Sequence, residues 1–73
     1  MKNLQDQQKE IGKKVKALRN QKGWSQEHLA NLAEKGITYI SELEAGKENP
    51  TIETLWQIAN ACGAEVTVLF ELK

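Results

Sequence analysis

Two short helical stretches, residues 26–33 and 37–45, lie so close together that just Glu34, Lys35 and Gly36 separate them. This spacing restricts the chain more than any other feature. Ser25 is a good N-cap for the first stretch, and Trp24 before it stands at the position that packs on Leu29 as a hydrophobic staple. In the second, Ile40 and Leu43 recur at helical spacing up to Gly46, a left-handed C-terminal cap. Two such helices must cross, and Ala30 is the small side chain at the crossing; a larger one there would cost about 1–3 kcal/mol.

The flanks are also helical. Leu4, Ile11, Val15 and Leu18 repeat as one buried stripe, so the spacing predicts a first helix over roughly 5–21, stopped by Gly23. After the loop of Lys47, Glu48, Asn49 and Pro50, Thr51 caps a fourth helix. Its apolar residues Ile52, Leu55, Trp56, Ile58, Ala59 and Cys62 predict a broad buried face closed by Gly63. The period then changes. Val66, Val68, Phe70 and Leu72 alternate with Glu65, Thr67, Leu69 and Glu71, which predicts a β-strand over 64–73. With no second strand in the chain, that segment calls for the same segment of a symmetry mate. The expected fold class is therefore all-α, four helices plus a short C-terminal strand that pairs between subunits, in one domain covering residues 1–73.

Composition narrows the chemistry. Seventy-three residues leave room for one domain that buries about 60% of its unfolded surface. Ten Lys and Arg balance ten Asp and Glu, so any attraction for an acidic polymer must be local. Residues 1–24 balance at +5 and residues 25–73 at −5. A single Asp6, a single His28 and a single Cys62 provide neither a catalytic triad nor a zinc ligand set, and no glycine-rich phosphate loop is present. The expectation is a binding module with no enzymatic activity, no metal and no cofactor. The start, MKNLQDQQKEIG, has no apolar stretch of signal-peptide type and no run is long enough for a membrane span, so a cytoplasmic location is expected.

The pair of helices has the dimensions of a helix-turn-helix. The stretches IGKKVKALRNQKGWSQEHLA and YISELEAGKENPTIETLWQIANACG resemble the lambda-repressor/Cro-like (XRE-type) helix-turn-helix regulators over residues 11–63, most of the chain. The specific pieces are LRxxKGxSQExLA, IxxLExGKxNP and a TLxxIA helix without a gap. The resemblance implies a double-stranded DNA partner and a recognition helix, here 36–45, that enters the major groove. It places Ile37, Thr38 and Glu42 where relatives read bases, with Gly36 and Ser41 at the edges. Phosphate contacts fall to Gln26 and to the Lys47–Asn49 loop, with Lys35 or Lys22 as a further anchor. It also implies an ion pair between Arg19 and Glu44 and a homodimer on a palindromic operator, acting as a repressor. The family commonly has a fifth helix at the C-terminus, the alternative to the strand read from the alternation of residues 64–73; in either form the dimer contact is expected from Val66, Val68, Phe70 and Leu72.

Departures from the pattern matter. Glu34 stands where the family usually has Gly, and Lys35 where it is usually aliphatic. Glu42 and Glu48 bring negative charge to a phosphate-facing surface. The zero net charge and Glu42 on the presumed reading face support a competing reading, an antitoxin-like module whose main partner is a toxin-like protein. Other residues are expected to have ordinary roles: His28 on the surface, Cys62 as a core filler, and Trp24 and Trp56 in packing rather than base stacking.

Overall fold

The computed structural model describes residues 3–69. They form α1 (Leu4–Gln21), α2 (Gln26–Leu32), α3 (Ile37–Glu44), α4 (Ile52–Ala61) and a 3-10 turn at Val66–Val68. Three of the helices start on a side chain that accepts a backbone N–H three residues on. Asn3 Oδ1 accepts from Asp6, Ser25 Oγ from His28 and Thr51 Oγ1 from Thr54, at 2.8, 3.0 and 3.1 Å. Helix α3 starts at Gly36 with no side-chain cap.

All four helices end in the same way. A residue in the left-handed region follows the cap, and the next N–H reaches back to a carbonyl five residues earlier. The pairs are Trp24 to Arg19, Lys35 to Ala30, Lys47 to Glu42 and Ala64 to Ala59, at 2.8 to 3.1 Å. Gly23, Gly46 and Gly63 provide three of the left-handed positions, and Glu34, at φ 59°, provides the fourth. The turn between α2 and α3 therefore keeps the glycine-type geometry without a glycine.

The core is built where the helices cross. Val15 of α1, Leu29 and Ala30 of α2, Ile40 and Leu43 of α3, and Leu55, Ile58, Ala59 and Cys62 at α4 are all buried. Helix α3 packs on α2 and α1, while α4 packs on α2 and on the C-terminal turn. Gly12 is the point of closest approach between α1 and α3. A Cβ there would meet the carbonyl oxygens of Leu43 and Glu44, the latter at 2.7 Å, which explains a glycine in a helix interior.

Three sequence expectations need correction. The segment expected as a strand is a 3-10 turn over Val66–Val68, and there is no strand among the described residues. Val68 and Leu69 donate their N–H groups to the Glu65 and Val66 carbonyls at 3.0 and 2.9 Å, bonds made within the segment rather than across a ladder. The turn also places Val66 and Leu69, three residues apart, toward the same side. Val66 packs against the core and Leu69 is fully buried in it. Strand alternation would have put them on opposite faces. Phe70 and Leu72 lie outside the described residues. Leu4, expected in the buried stripe of α1, is exposed, because that stripe enters the core only from Ile11 onward. Ile52 and Trp56, expected on the buried face of α4, are exposed as well, since Leu55, Ile58 and Ala59 turn inward and leave them on the outer side.

Candidate nucleic-acid interface

The buried pair Ile40 and Leu43 fixes the rotation of α3, and the opposite side of the helix then projects into solvent. Ile37, Thr38, Ser41 and Glu42 are all exposed, and so is Gly36 at the helix start. Ile37 is 49% exposed, an apolar methyl-bearing group at the leading end of this face. Lys47 and Asn49 are exposed in the loop that follows α3, with Glu48 half-buried between them. The side chains placed together on this face include a hydroxyl pair, one carboxylate and one aliphatic group, which can accept hydrogen bonds from a base amine or touch a methyl group.

Beneath this face lies a polar anchor. Arg19 Nε donates to Glu44 Oε2 at 2.7 Å and Nη2 donates to Oε1 at 3.0 Å, a two-pronged pair between α1 and the end of α3. The third nitrogen, Nη1, donates to the Trp24 carbonyl at 2.7 Å, so one guanidinium ties together α1, α3 and the turn before α2. The hydrogen bond to Glu44 raises the Arg19 pKa further above its ordinary value, against the opposing effect of burial, and the charge of Glu44 adds to the rise. Gln26 Nε2 completes the cluster by donating to Glu44 Oε1 at 3.1 Å. The side-chain amide of Gln26, expected at a phosphate, is thus engaged with Glu44 within the molecule.

Lys35 is half-buried in the turn, with its ammonium 5.9 Å from the centre of the Tyr39 ring. Burial pushes the Tyr39 hydroxyl above its ordinary pKa; a hydrogen bond with Thr54 works against this and the charge of Glu48 works with it. Trp24 packs against the core and meets the exposed His28 edge-on at 5.0 Å. The Gln26 bond, the Lys35–Tyr39 contact and the Trp24 carbonyl as an Arg19 acceptor were not foreseen from the sequence. Each depends on rotamers that side-chain type alone does not set. Cys62 is buried, and burial pushes its thiol above the ordinary value. Among the described residues no cluster of His, Cys, Asp or Glu could hold a metal ion, and no helix is long and apolar enough to cross a membrane.

A short helix held across a tight turn on a second one, with its outer face left open and its inner face locked by an ion pair, defines a helix-turn-helix domain. Residues 15–69 match the helix-turn-helix family profile. The chain is 38% identical over 58 residues to the uncharacterized HTH-type transcriptional regulator y4dJ of Sinorhizobium fredii, a match covering 80% of this chain and 75% of that protein. It is 30% identical over 59 residues to the immunity repressor protein of Bacillus phage phi105, covering 81% of this chain and 41% of the repressor. Among solved structures, the restriction-modification controller protein C.AhdI of Aeromonas hydrophila superposes with a TM-score of 0.83 at 32% identity, covering 86% of this chain and 96% of that one. The chain belongs to the helix-turn-helix family of lambda-repressor/Cro-like (XRE-type) regulators.

Proposed function

We propose that this protein is a sequence-specific DNA-binding transcriptional regulator that reads a short palindromic operator with α3 in the major groove and represses by occupying it. The observation that carries this reading is the outward face of Ile37, Thr38, Ser41 and Glu42 on a helix whose Ile40 and Leu43 are fully buried. Family membership and the named relatives, transcriptional regulators and a phage repressor, support it over a module that chiefly binds a protein. No catalysis is involved.

In this reading Glu42 accepts from a cytosine N4 amine and Ile37 touches a thymine methyl, with Thr38 and Ser41 beside them. Gly36 lets the start of α3 come close to the duplex. The backbone N–H of Gln26 and the loop from Lys47 to Asn49 meet phosphates, and Lys35 adds a positive charge at the turn. A base-reading surface poor in Arg, Asn and Gln makes specificity modest, with part of it drawn from DNA shape. Two copies on a two-fold site about 34 Å apart supply the affinity that one small domain lacks. Such a regulator works in the cytoplasm, where the DNA is.

The test is a fluorescence titration on operator DNA selected from a random pool, repeated at several salt concentrations. The logarithm of the binding constant should fall with the logarithm of salt by about 0.9 per phosphate neutralised, and the selected sequence should bind more tightly than a scrambled one. A binding constant independent of salt, or equal on both sequences, overturns the proposal.

A further inference from the structure

Lys35 sits in the turn between α2 and α3, just ahead of the exposed side of α3 that opens at Ile37, and both of its ends are held. Its backbone N–H donates to the Ala30 carbonyl at 2.8 Å, and its ammonium stands 5.9 Å from the centre of the Tyr39 ring. The ring itself has little freedom. Tyr39 packs against the core, with its hydroxyl toward Thr54 of α4. A fixed aromatic face thus restrains a charge carried on a long flexible stem.

The choice of a ring as partner matters. A carboxylate would neutralise the ammonium, whereas an aromatic face attracts it through the ring quadrupole and leaves the full charge to act on an anion. An ammonium has three N–H donors, and those turned away from the ring remain for oxygen acceptors. We infer that Tyr39 is a positioning residue, whose ring holds Lys35 ready for a backbone phosphate of the duplex beside the start of α3. The inference rests on the DNA-binding reading proposed above and deepens it. Immobilising one long side chain on binding weakens association about two- to tenfold. Lys35 is ordered before the DNA arrives and escapes that loss. The ring also competes with the adjacent, exposed Glu34, whose carboxylate would otherwise draw the ammonium to itself. Tyr39 therefore acts on the nucleic acid through Lys35, while Ile37, Thr38, Ser41 and Glu42 face it directly.

A double-mutant cycle on the full chain tests this, with selected operator DNA titrated at several salt concentrations. Lys35→Met should lower the salt slope by about 0.9, one phosphate contact, on every sequence alike. Tyr39→Leu should weaken binding about two- to tenfold when Lys35 is present and change nothing in the Lys35→Met background. Tyr39→Phe keeps the ring and should bind as wild type, whatever the lost hydroxyl does to its melting temperature. A ring with a purely structural role would weaken binding equally with and without the lysine. Far-UV circular dichroism checks that each variant is folded, and Tyr39→Met replaces Tyr39→Leu if that one is not. The wild type alone provides a second measurement: the ring current should move the Lys35 Hε resonances upfield of those of the other lysines. Ordinary positions for those signals overturn the contact itself. Equal losses in both backgrounds, tighter binding by Tyr39→Leu, or an unchanged salt slope in Lys35→Met overturn the inference and leave the DNA-binding reading intact. A wild type whose binding ignores salt and sequence removes that reading, and the inference with it.

Discussion

Arg19 and Glu44 lie 25 residues apart in sequence and meet through two hydrogen bonds of 2.7 and 3.0 Å, with side chains that keep 11% and 3% of their surface in contact with solvent. The pair fixes the end of α3 to α1, and Gln26 and the Trp24 carbonyl extend it to the start of α2. Its weight comes from what remains when one partner is lost. Arg19→Ala leaves the Glu44 carboxylate buried with only the Gln26 amide, a loss of about 3–5 kcal/mol. In a domain of this size each kcal/mol moves the melting temperature by about 4–8 °C, so Arg19→Ala should melt tens of degrees lower. Arg19→Lys keeps the charge but not the two-pronged geometry and should fall in between. Equal melting temperatures for wild type and Arg19→Ala would show that the pair is not structural.

Glu34 offers the opposite kind of change. Its φ of 59° places a side chain in a region that costs an L-residue about 1–2 kcal/mol and a glycine nothing. Glu34→Gly should raise stability by about 1 kcal/mol in a urea titration with the slope unchanged, after the entropy cost of glycine in the unfolded chain is subtracted. The reverse change at an equivalent helix end, Gly63→Ala at φ 69°, should lower it by a similar amount. A Glu34→Gly protein less stable than wild type would mean that the Glu34 side chain contributes more than its backbone costs.

What the sequence made legible follows physical range. Helix ends were readable because caps are local: Ser25, Thr51, Gly46 and Gly63 each act on residues within one turn. The rotation of α3 was readable because Ile40 and Leu43 alone define its buried side. The C-terminal segment was misread because alternation of Val66, Val68 and Phe70 is also compatible with a turn, and what decides between the two is the hole in the core that Leu69 fills. That hole belongs to other helices. The outer position of Ile52 and Trp56 was missed for a related reason: an apolar side of α4 wider than the groove it enters has to leave something outside. The role of Gly12 was likewise invisible, since its near neighbours, the Leu43 and Glu44 carbonyls, are more than thirty residues away in sequence.

Gly12→Ala sets two effects against each other. Alanine improves helix propensity by about 1 kcal/mol. Its Cβ, however, would meet backbone carbonyl oxygens of Leu43 and Glu44, which cannot rotate away as a side chain could. The overpacking wins, and α1 must slide off α3, for a net loss of about 1–3 kcal/mol of stability in a urea titration. Because α1 carries Arg19, the same shift should weaken the Arg19–Glu44 pair, so Gly12→Ala combined with Arg19→Ala should cost less than the two single losses added together. Strict additivity would mean that the helix contact and the ion pair are independent.

Base reading and folding should separate at Glu42. The carboxylate is exposed and makes no contact in the core, so Glu42→Ala should leave the unfolding free energy within about 0.5 kcal/mol of wild type. On operator DNA it should alter the preferred base at one position per half-site by about 1–3 kcal/mol. Selection from a random pool with both proteins reads this directly. An unchanged sequence preference would remove Glu42 from the reading surface.

Cys62 links stability to alkaline pH. Burial raises its thiol above the ordinary value of 9.0, so the folded protein binds the proton more tightly than the unfolded chain does. The sign follows: the contribution is fully present below the unfolded value, shrinks as pH rises past 9.0, and is lost by the folded pKa above it. Tyr39, also raised by burial, adds the same trend from its ordinary value of 10.0 upward. The melting temperature should therefore decline as pH is raised from 8 through 9 and beyond. Cys62→Ala should start lower, because a buried sulfur is removed from the core, but decline less steeply over the first part of that range. In the folded wild type the thiol should also react with a neutral alkylating reagent at pH 8 far more slowly than in urea. Parallel melting curves for wild type and Cys62→Ala across this range would show that the thiol keeps its ordinary affinity for the proton in the folded state.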